Sequence, residues 1–196
     1  MRCRQIPVAA LAASLLLGVG ASCAHAAGVF TLSSTTFADG QMMPKKVANS
    51  RANRPDNPGC VGDNVAPQLS WTNTPEGAKS LALILTDPQG GAGRGFVHFV
   101  AYGVPASVSG FAEGELSKPS DKYVAGKNGA GQDAYFGPCP ASGTSTHHYV
   151  FVLIATDFDQ GALPPGLTRD ELFSNFGNPP THVKGTSSLV GLFVNP

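Results

Sequence analysis

The sequence predicts a mainly β domain, on three observations. Glycine (24) and proline (16) are abundant among the 196 residues, and both suit turns better than helix interiors. Apolar residues at helical spacing are scarce. Three apolar runs instead read as buried strands: 80–86 (SLALILT), 96–104 (FVHFVAYGV) and the run that opens at His147 (HHYVFVLIAT).

A chain of this length can bury a substantial single core. Its first 26 residues have the anatomy of a secretory signal peptide. Arg2 and Arg4 supply the positive start, 8–19 the apolar stretch, and Ala24-His25-Ala26 the small-x-small cleavage site. The apolar stretch is shorter than a comfortable membrane span. A lipoprotein reading at Cys23 fits less well, because Gly20 stands where a large aliphatic residue is expected. The expectation is a signal peptide over 1–26, cleavage after Ala26, and an exported domain over 27–196 that is periplasmic or secreted. Without Arg2 and Arg4 the chain carries 11 basic and 13 acidic residues, a balance of −2. No basic face is implied, which argues against nucleic acid or an acidic membrane as partner.

Export changes how cysteine is read. Cys3 and Cys23 leave with the leader, so Cys60 and Cys139 remain. In an oxidising compartment this pair points to a disulfide rather than a metal site or a redox couple. Two buried free thiols are the alternative.

Along the mature chain, 29–34 is a short strand and 37–40 the turn after it. Residues 45–59 are polar and interrupted by Pro55 and Pro58, which reads as a surface loop. Lys45, Lys46, Arg51 and Arg54 fall within it, and a solvated surface accounts for them. A brief strand covers 69–71. The 80–86 run is apolar on both faces and so belongs to a sheet covered on both sides. It ends at Asp87-Pro88, and a Gly-rich loop leads to the neighbouring strand at 96–104. That loop lacks the Lys-Ser/Thr ending of a phosphate-cradling P-loop and opens onto a strand rather than a helix. Residues 108–131 read as a long excursion over the surface. Thr168 and Glu171 form a capping box, predicting a helix that ends at Gly177. A last strand is expected over 188–194.

Polar residues interrupt this apolar pattern in three places. Asp87 ends one strand and His98 sits inside another. His147 and Tyr149 share one face of a third, because alternate strand residues point the same way. A stiff turn, Gly137-Pro138-Cys139-Pro140, precedes the third place. Each is a hydrogen-bonded core residue or part of a small-ligand pocket; together with the turn, they favour a pocket.

At these residues the sequence resembles the phosphatidylethanolamine-binding protein family, in particular its bacterial Raf kinase inhibitor-like branch. The matching pieces are Asp87-Pro88, His98, Gly137-Pro138-Cys139-Pro140 and 147–151 (HHYVF), supported by 64–71 (NVAPQLSW) and by 182–191. The resemblance implies a β-fold of two antiparallel sheets with a few peripheral helices. It also implies a pocket for phosphate or a phospholipid headgroup, using Asp87, His98, Pro138, His147 and Tyr149. Four positions depart from the family pattern. Gln89 stands for a second aspartate, Phe99 for a tryptophan, Ala141 for a proline and Phe193 for a tyrosine. These departures bear on headgroup selectivity and leave the central contacts in place.

The residue chemistry agrees with an anion. Imidazole and phenol donors suit phosphate oxygens, each charged hydrogen bond contributing ~1.5–3 kcal/mol. Asp87 would repel an anion, so its expected role is to orient a histidine or to meet an ammonium or hydroxyl group. Two rivals use the same residues. A hydrolase would pair Ser142 or Ser145 with His147 and Asp87, but no Gly-x-Ser-x-Gly turn aims either serine. A metal site would use His98, His147, His148 and Asp87, yet neighbouring strand residues face opposite ways. The expectation is a binding protein without metal or cofactor, taking a small anion and possessing the scope for a kinase- or protease-inhibitor-like role on a partner outside the cytoplasm.

Overall fold

The computed structural model describes residues 28–51, 59–60 and 62–195. The signal-peptide assignment over 1–26 lies outside these residues, as do Arg54, Pro55 and Pro58. Among the described residues the chain forms two sheets. The smaller has strand order β1 (Thr31–Ser33), β3 (Leu69–Thr72), β6 (Gly110–Phe111). The larger has β2 (Gln41–Met42), β9 (Val183–Phe193), β8 (His147–Thr156), β4 (Ser80–Asp87), β5 (Phe96–Pro105), β7 (Val124–Ala125), in that order across the sheet. Pairing is antiparallel except for the short edge contact of β2 with β9. The expected mainly β architecture with two sheets is the one observed.

The apolar runs explain the layers. β4 is paired along both edges, by β5 and β8, and its two faces enter two different cores. Leu81, Leu83 and Leu85 join Phe99, Tyr149, Phe151 and Leu153 on the face towards the small sheet, with Trp71 and Phe111. Ala82 and Ile84 join Val100, Tyr102 and Ile154 on the other face. That second face is covered by Leu172 and Phe176 of α2 (Arg169–Phe176). The helix has the predicted capping box: Thr168 Oγ1 accepts from the Glu171 amide, and the Glu171 carboxylate accepts from the Thr168 amide at 2.8 Å. A short turn, α1 (Gly90–Gly93), links β4 to β5, with Gly91 and Ala92 in the left-handed region.

Three boundaries differ from the sequence reading. β9 begins at Val183 rather than 188, because its first residues pair with the end of β8 down to Thr156. The 45–59 stretch is not wholly a surface loop, since Val47, Ala48 and Asn49 are buried beneath the 135–138 turn. Likewise 108–131 is no bare excursion. It contributes β6 and β7 and buries Phe111, Leu116 and Tyr123. Aromatic residues separated by polar stretches gave no periodic signal there.

Candidate functional site

β4 ends, β5 begins and β8 begins at the same end of the large sheet. A cavity of about 500 Å³ opens there, lined by Asp87, His98, His147 and Tyr149 together with Arg51, Gln89, Phe96, Phe136, Cys139 and Pro140. Four of the five residues expected in the pocket thus meet. Pro138 is not among the lining residues. It is buried, and its carbonyl accepts from the Asn49 amide at 2.9 Å.

Asp87 is buried and fully engaged. Oδ1 accepts from the amides of Gln89 (2.9 Å) and Gly90 (3.0 Å), while Oδ2 accepts from His147 Nδ1 at 2.7 Å. A carboxylate oxygen cannot donate, so Nδ1 carries the proton and Nε2 is the other ring nitrogen, left for the cavity. Asp87 therefore sets the ring orientation of His147. Gly90 has to be glycine: a Cβ there would lie 2.7 Å from Phe96 Cβ and 3.2 Å from Asp87 Oδ2.

His98 is held in the same way by a different partner. Its Nδ1 donates to the Phe136 carbonyl at 2.6 Å, and the Phe136 amide donates to the His98 carbonyl at 3.1 Å. Rings of Phe96, Tyr149 and Phe136 surround it, with centroids 4.9, 5.1 and 5.9 Å away. Burial lowers the His98 pKa below its ordinary value, against the opposing pull of the Phe136 carbonyl and the Asp87 carboxylate. The neutral ring is therefore favoured. Tyr149 is fully buried, and its hydroxyl has no hydrogen-bond partner of good geometry among the described residues. Burial first, and then the nearby Asp87 carboxylate, push its pKa far up, so the hydroxyl keeps its proton as a donor.

The turn that closes the cavity is braced from below. Asn64, at φ 55°, accepts from the Gly137 amide at 2.8 Å and donates to the Tyr135 carbonyl at 3.1 Å. Tyr135 in turn donates its hydroxyl to the Val47 carbonyl at 3.0 Å. A Cβ on Gly137 would run into that same Val47 carbonyl, with the Asn49 amide 2.7 Å away. A disulfide joins Cys60 to Cys139 with their Cα atoms 5.4 Å apart.

Several lining residues carry no sequence signal of their own. Phe96 does have one, since it precedes His98 by two on the same strand. Arg51 belongs by local composition to a solvated loop, yet it lines the cavity. Gln89, a departure from the family pattern, bridges two strands: Oε1 accepts from the His148 amide at 2.9 Å and Nε2 donates to the Thr146 carbonyl at 3.1 Å. His148 is exposed, away from the cavity that His147 lines, as strand alternation requires. Neither Ser142 nor Ser145 lines the cavity.

Comparison with known proteins agrees with this architecture. The sequence is 35% identical over 170 residues to the lipoprotein LppC of Mycobacterium tuberculosis, covering 87% of this chain and 75% of that one. It is 35% identical over 147 residues to a UPF0098 protein of Methanothermobacter thermautotrophicus, covering 74% and 93%. Among solved structures, the phosphatidylethanolamine-binding protein homologue CT736 of Chlamydia trachomatis superposes with a TM-score of 0.69 at 29% identity, over 85% of this chain and 98% of that one. Escherichia coli YbcL, described as a member of the mammalian family, shares the fold with a TM-score of 0.73 at 24% identity, over 85% and 99%. The sequence model of the phosphatidylethanolamine-binding protein family matches residues 33–193. The chain belongs to the phosphatidylethanolamine-binding protein family.

Proposed function

We propose that the protein is an exported binding protein whose cavity takes a small anion, phosphate or a phosphorylated headgroup, through His98, His147 and Tyr149. The observation that carries this reading is the Tyr149 hydroxyl: a protonated donor, buried, without an internal partner of good geometry, on the wall of an open cavity. Its polar neighbours, the Asp87 carboxylate and the Cys139 backbone, lie outside good hydrogen-bond geometry, and a buried donor so poorly satisfied costs up to about 1–3 kcal/mol, which a ligand oxygen would recover. The Asp87–His147 pair supports it further, because a ring fixed through Nδ1 presents Nε2 at a set angle. Export rests on the leader motif and on a relative named as a lipoprotein. No helix among the described residues is long and apolar enough to cross a membrane.

Titration calorimetry with inorganic phosphate tests the site. His147→Ala and Tyr149→Phe are expected to weaken binding by roughly tenfold or more each, and less than additively in combination. His182→Ala is the binding control: its ring pairs with Asp157 at 2.8 Å and does not line the cavity. Equal affinity in wild type and both pocket variants would overturn the proposal. Intact-mass analysis of exported protein tests the leader, with a mature start at Ala27 expected and retention of 1–26 or a lipid on Cys23 contradicting it.

A further inference from the structure

The cavity walls pose an electrostatic problem for any anion. Asp87 contributes a buried carboxylate. Both histidines spend their Nδ1 protons on protein oxygens, His147 on Asp87 and His98 on the Phe136 carbonyl. With Nδ1 spent in this way, only Nε2 of each ring is left for a ligand, and a neutral ring offers a lone pair there where a protonated ring offers a donor. Tyr149 gives one O–H donor. The fixed charge in this inventory is the Asp87 carboxylate, which repels an anion unless a fixed cation stands beside it.

Arg51 is that cation. It lines the cavity, and no carboxylate partner is found for it among the described residues. Its guanidinium carbon lies 6.0 Å from the Phe136 ring centroid, and Nη2 lies 3.7 Å from Cys139 Sγ. Its backbone is pinned on both sides. The Arg51 amide donates to Asn49 Oδ1 at 2.9 Å, and its carbonyl accepts from the Cys60 amide at 2.8 Å. Cys60 is itself tied to Cys139, which lines the same cavity beside Arg51. The disulfide thus fixes the distance between the arginine-bearing segment and the cavity turn.

We infer that Arg51 is the anion-selecting residue of the cavity, and that the Cys60–Cys139 disulfide is the device that holds it in place. This rests on the anion-binding reading above. Guanidinium suits the role because it stays charged at every working pH and matches two phosphate oxygens at once. The disulfide contributes preorganisation: an arginine held at the rim loses less freedom on binding than one on a loose segment.

Calorimetry with inorganic phosphate at low salt and neutral pH decides the matter, using Arg51→Gln, Arg51→Lys, Cys60→Ser/Cys139→Ser and the triple variant with Arg51→Gln. Unfolding midpoints establish that each variant is folded. Arg51→Gln is expected to lose roughly tenfold or more in affinity and to flatten the salt dependence. Arg51→Lys should recover part of the loss, restoring charge without the fork. The double serine variant should weaken binding, and adding Arg51→Gln to it should cost less than it does in the wild type. Unchanged affinity in Arg51→Gln, with His147→Ala still weakened, overturns the role of Arg51 alone. Full additivity of the disulfide and arginine changes overturns the positioning role of the disulfide. A wild type that binds no phosphate overturns the anion reading, and this inference with it.

Discussion

His98 and Phe136 hold one another through two hydrogen bonds, ring Nδ1 to carbonyl at 2.6 Å and amide to carbonyl at 3.1 Å. The pair joins β5 to the turn that closes the cavity. It also fixes which nitrogen of His98 is protonated, and so which side of the ring the cavity meets. Because the arrangement suits a neutral imidazole in an apolar ring cluster, protonation works against the fold.

The sign of the resulting pH dependence follows from linkage. His98 sits below its ordinary value of 6.5 in the folded chain, burial being the largest cause. Between the folded value and 6.5 the unfolded chain binds the proton more readily. Stability from His98 is therefore fully present above pH 6.5 and is lost as pH falls towards and through the folded value. Urea unfolding at pH 7.5 and 5 should show a larger loss for wild type than for His98→Gln. Equal losses would remove His98 as the cause. A bound anion should favour the protonated ring, in competition with Asp87, Arg51, His147 and Tyr149 for the same field, so phosphate binding should tighten as pH falls below 6.5.

Gly137→Ala should destabilise the protein although its surroundings are mostly backbone. The added methyl meets the Val47 carbonyl and the Asn49 amide, neither of which can swing aside as a side chain would. A loss of about 1–3 kcal/mol is expected from overpacking. A midpoint unchanged in urea would contradict it.

Asn64→Ala removes the acceptor of the Gly137 amide and the donor to the Tyr135 carbonyl, and places alanine at φ 55°. About 2 kcal/mol or more should be lost, with Asn64→Asp milder because it keeps the acceptor. Thermal unfolding of the two variants checks the order. Asn64→Asp as damaging as Asn64→Ala would show that the Gly137 bond is not the one that counts.

Removing the disulfide should cost stability through the unfolded chain. Its cysteines are 79 residues apart, a loop for which the chain-entropy account gives ~4 kcal/mol. Cys60→Ser/Cys139→Ser should unfold at lower urea than wild type. Two reactive thiols in the unfolded, unreduced wild type would show that the bond does not form.

How much of this was legible in the sequence depends on the kind of signal each residue leaves. The strands at 80, 96 and 147 announced themselves because short, continuous apolar runs rich in β-branched and aromatic residues fit a sheet covered on both faces. The capping box of α2 is a local chemical pattern. Asp87, His98, His147 and Tyr149 were visible as polar breaks in those runs. Pro138 stood out for the wrong reason. Its rigidity shapes the turn, while its neighbours Cys139 and Pro140 line the cavity. Arg51 and Asn64 gave no sign of these roles, although Asn64 opens the 64–71 stretch that supports the family resemblance and Arg51 was visible as one of several loop cations. Both act through contacts to residues more than 70 positions away, and neither breaks any local pattern. The buried Val47–Asn49 segment is hidden for the same reason: flanking lysines and prolines set its local character, but its partners lie in the 135–138 turn.

The placement of β4 has a consequence for how the protein comes apart. A strand paired on both edges and covered on both faces offers water no route to its amides short of global opening. Asp87 ends that strand, paired with Phe96 and held by three hydrogen bonds to its carboxylate, so the anchor of His147 is expected to open late. Arg51 sits outside it, on a segment fastened by one bond to the Asn49 side chain, one to the Cys60 amide and the disulfide. Deuterium should therefore enter the rim long before it enters the cavity floor. A partly opened population would be missing its cation while still holding its carboxylate, a form of the protein that exchanges preference for anions against preference for cations.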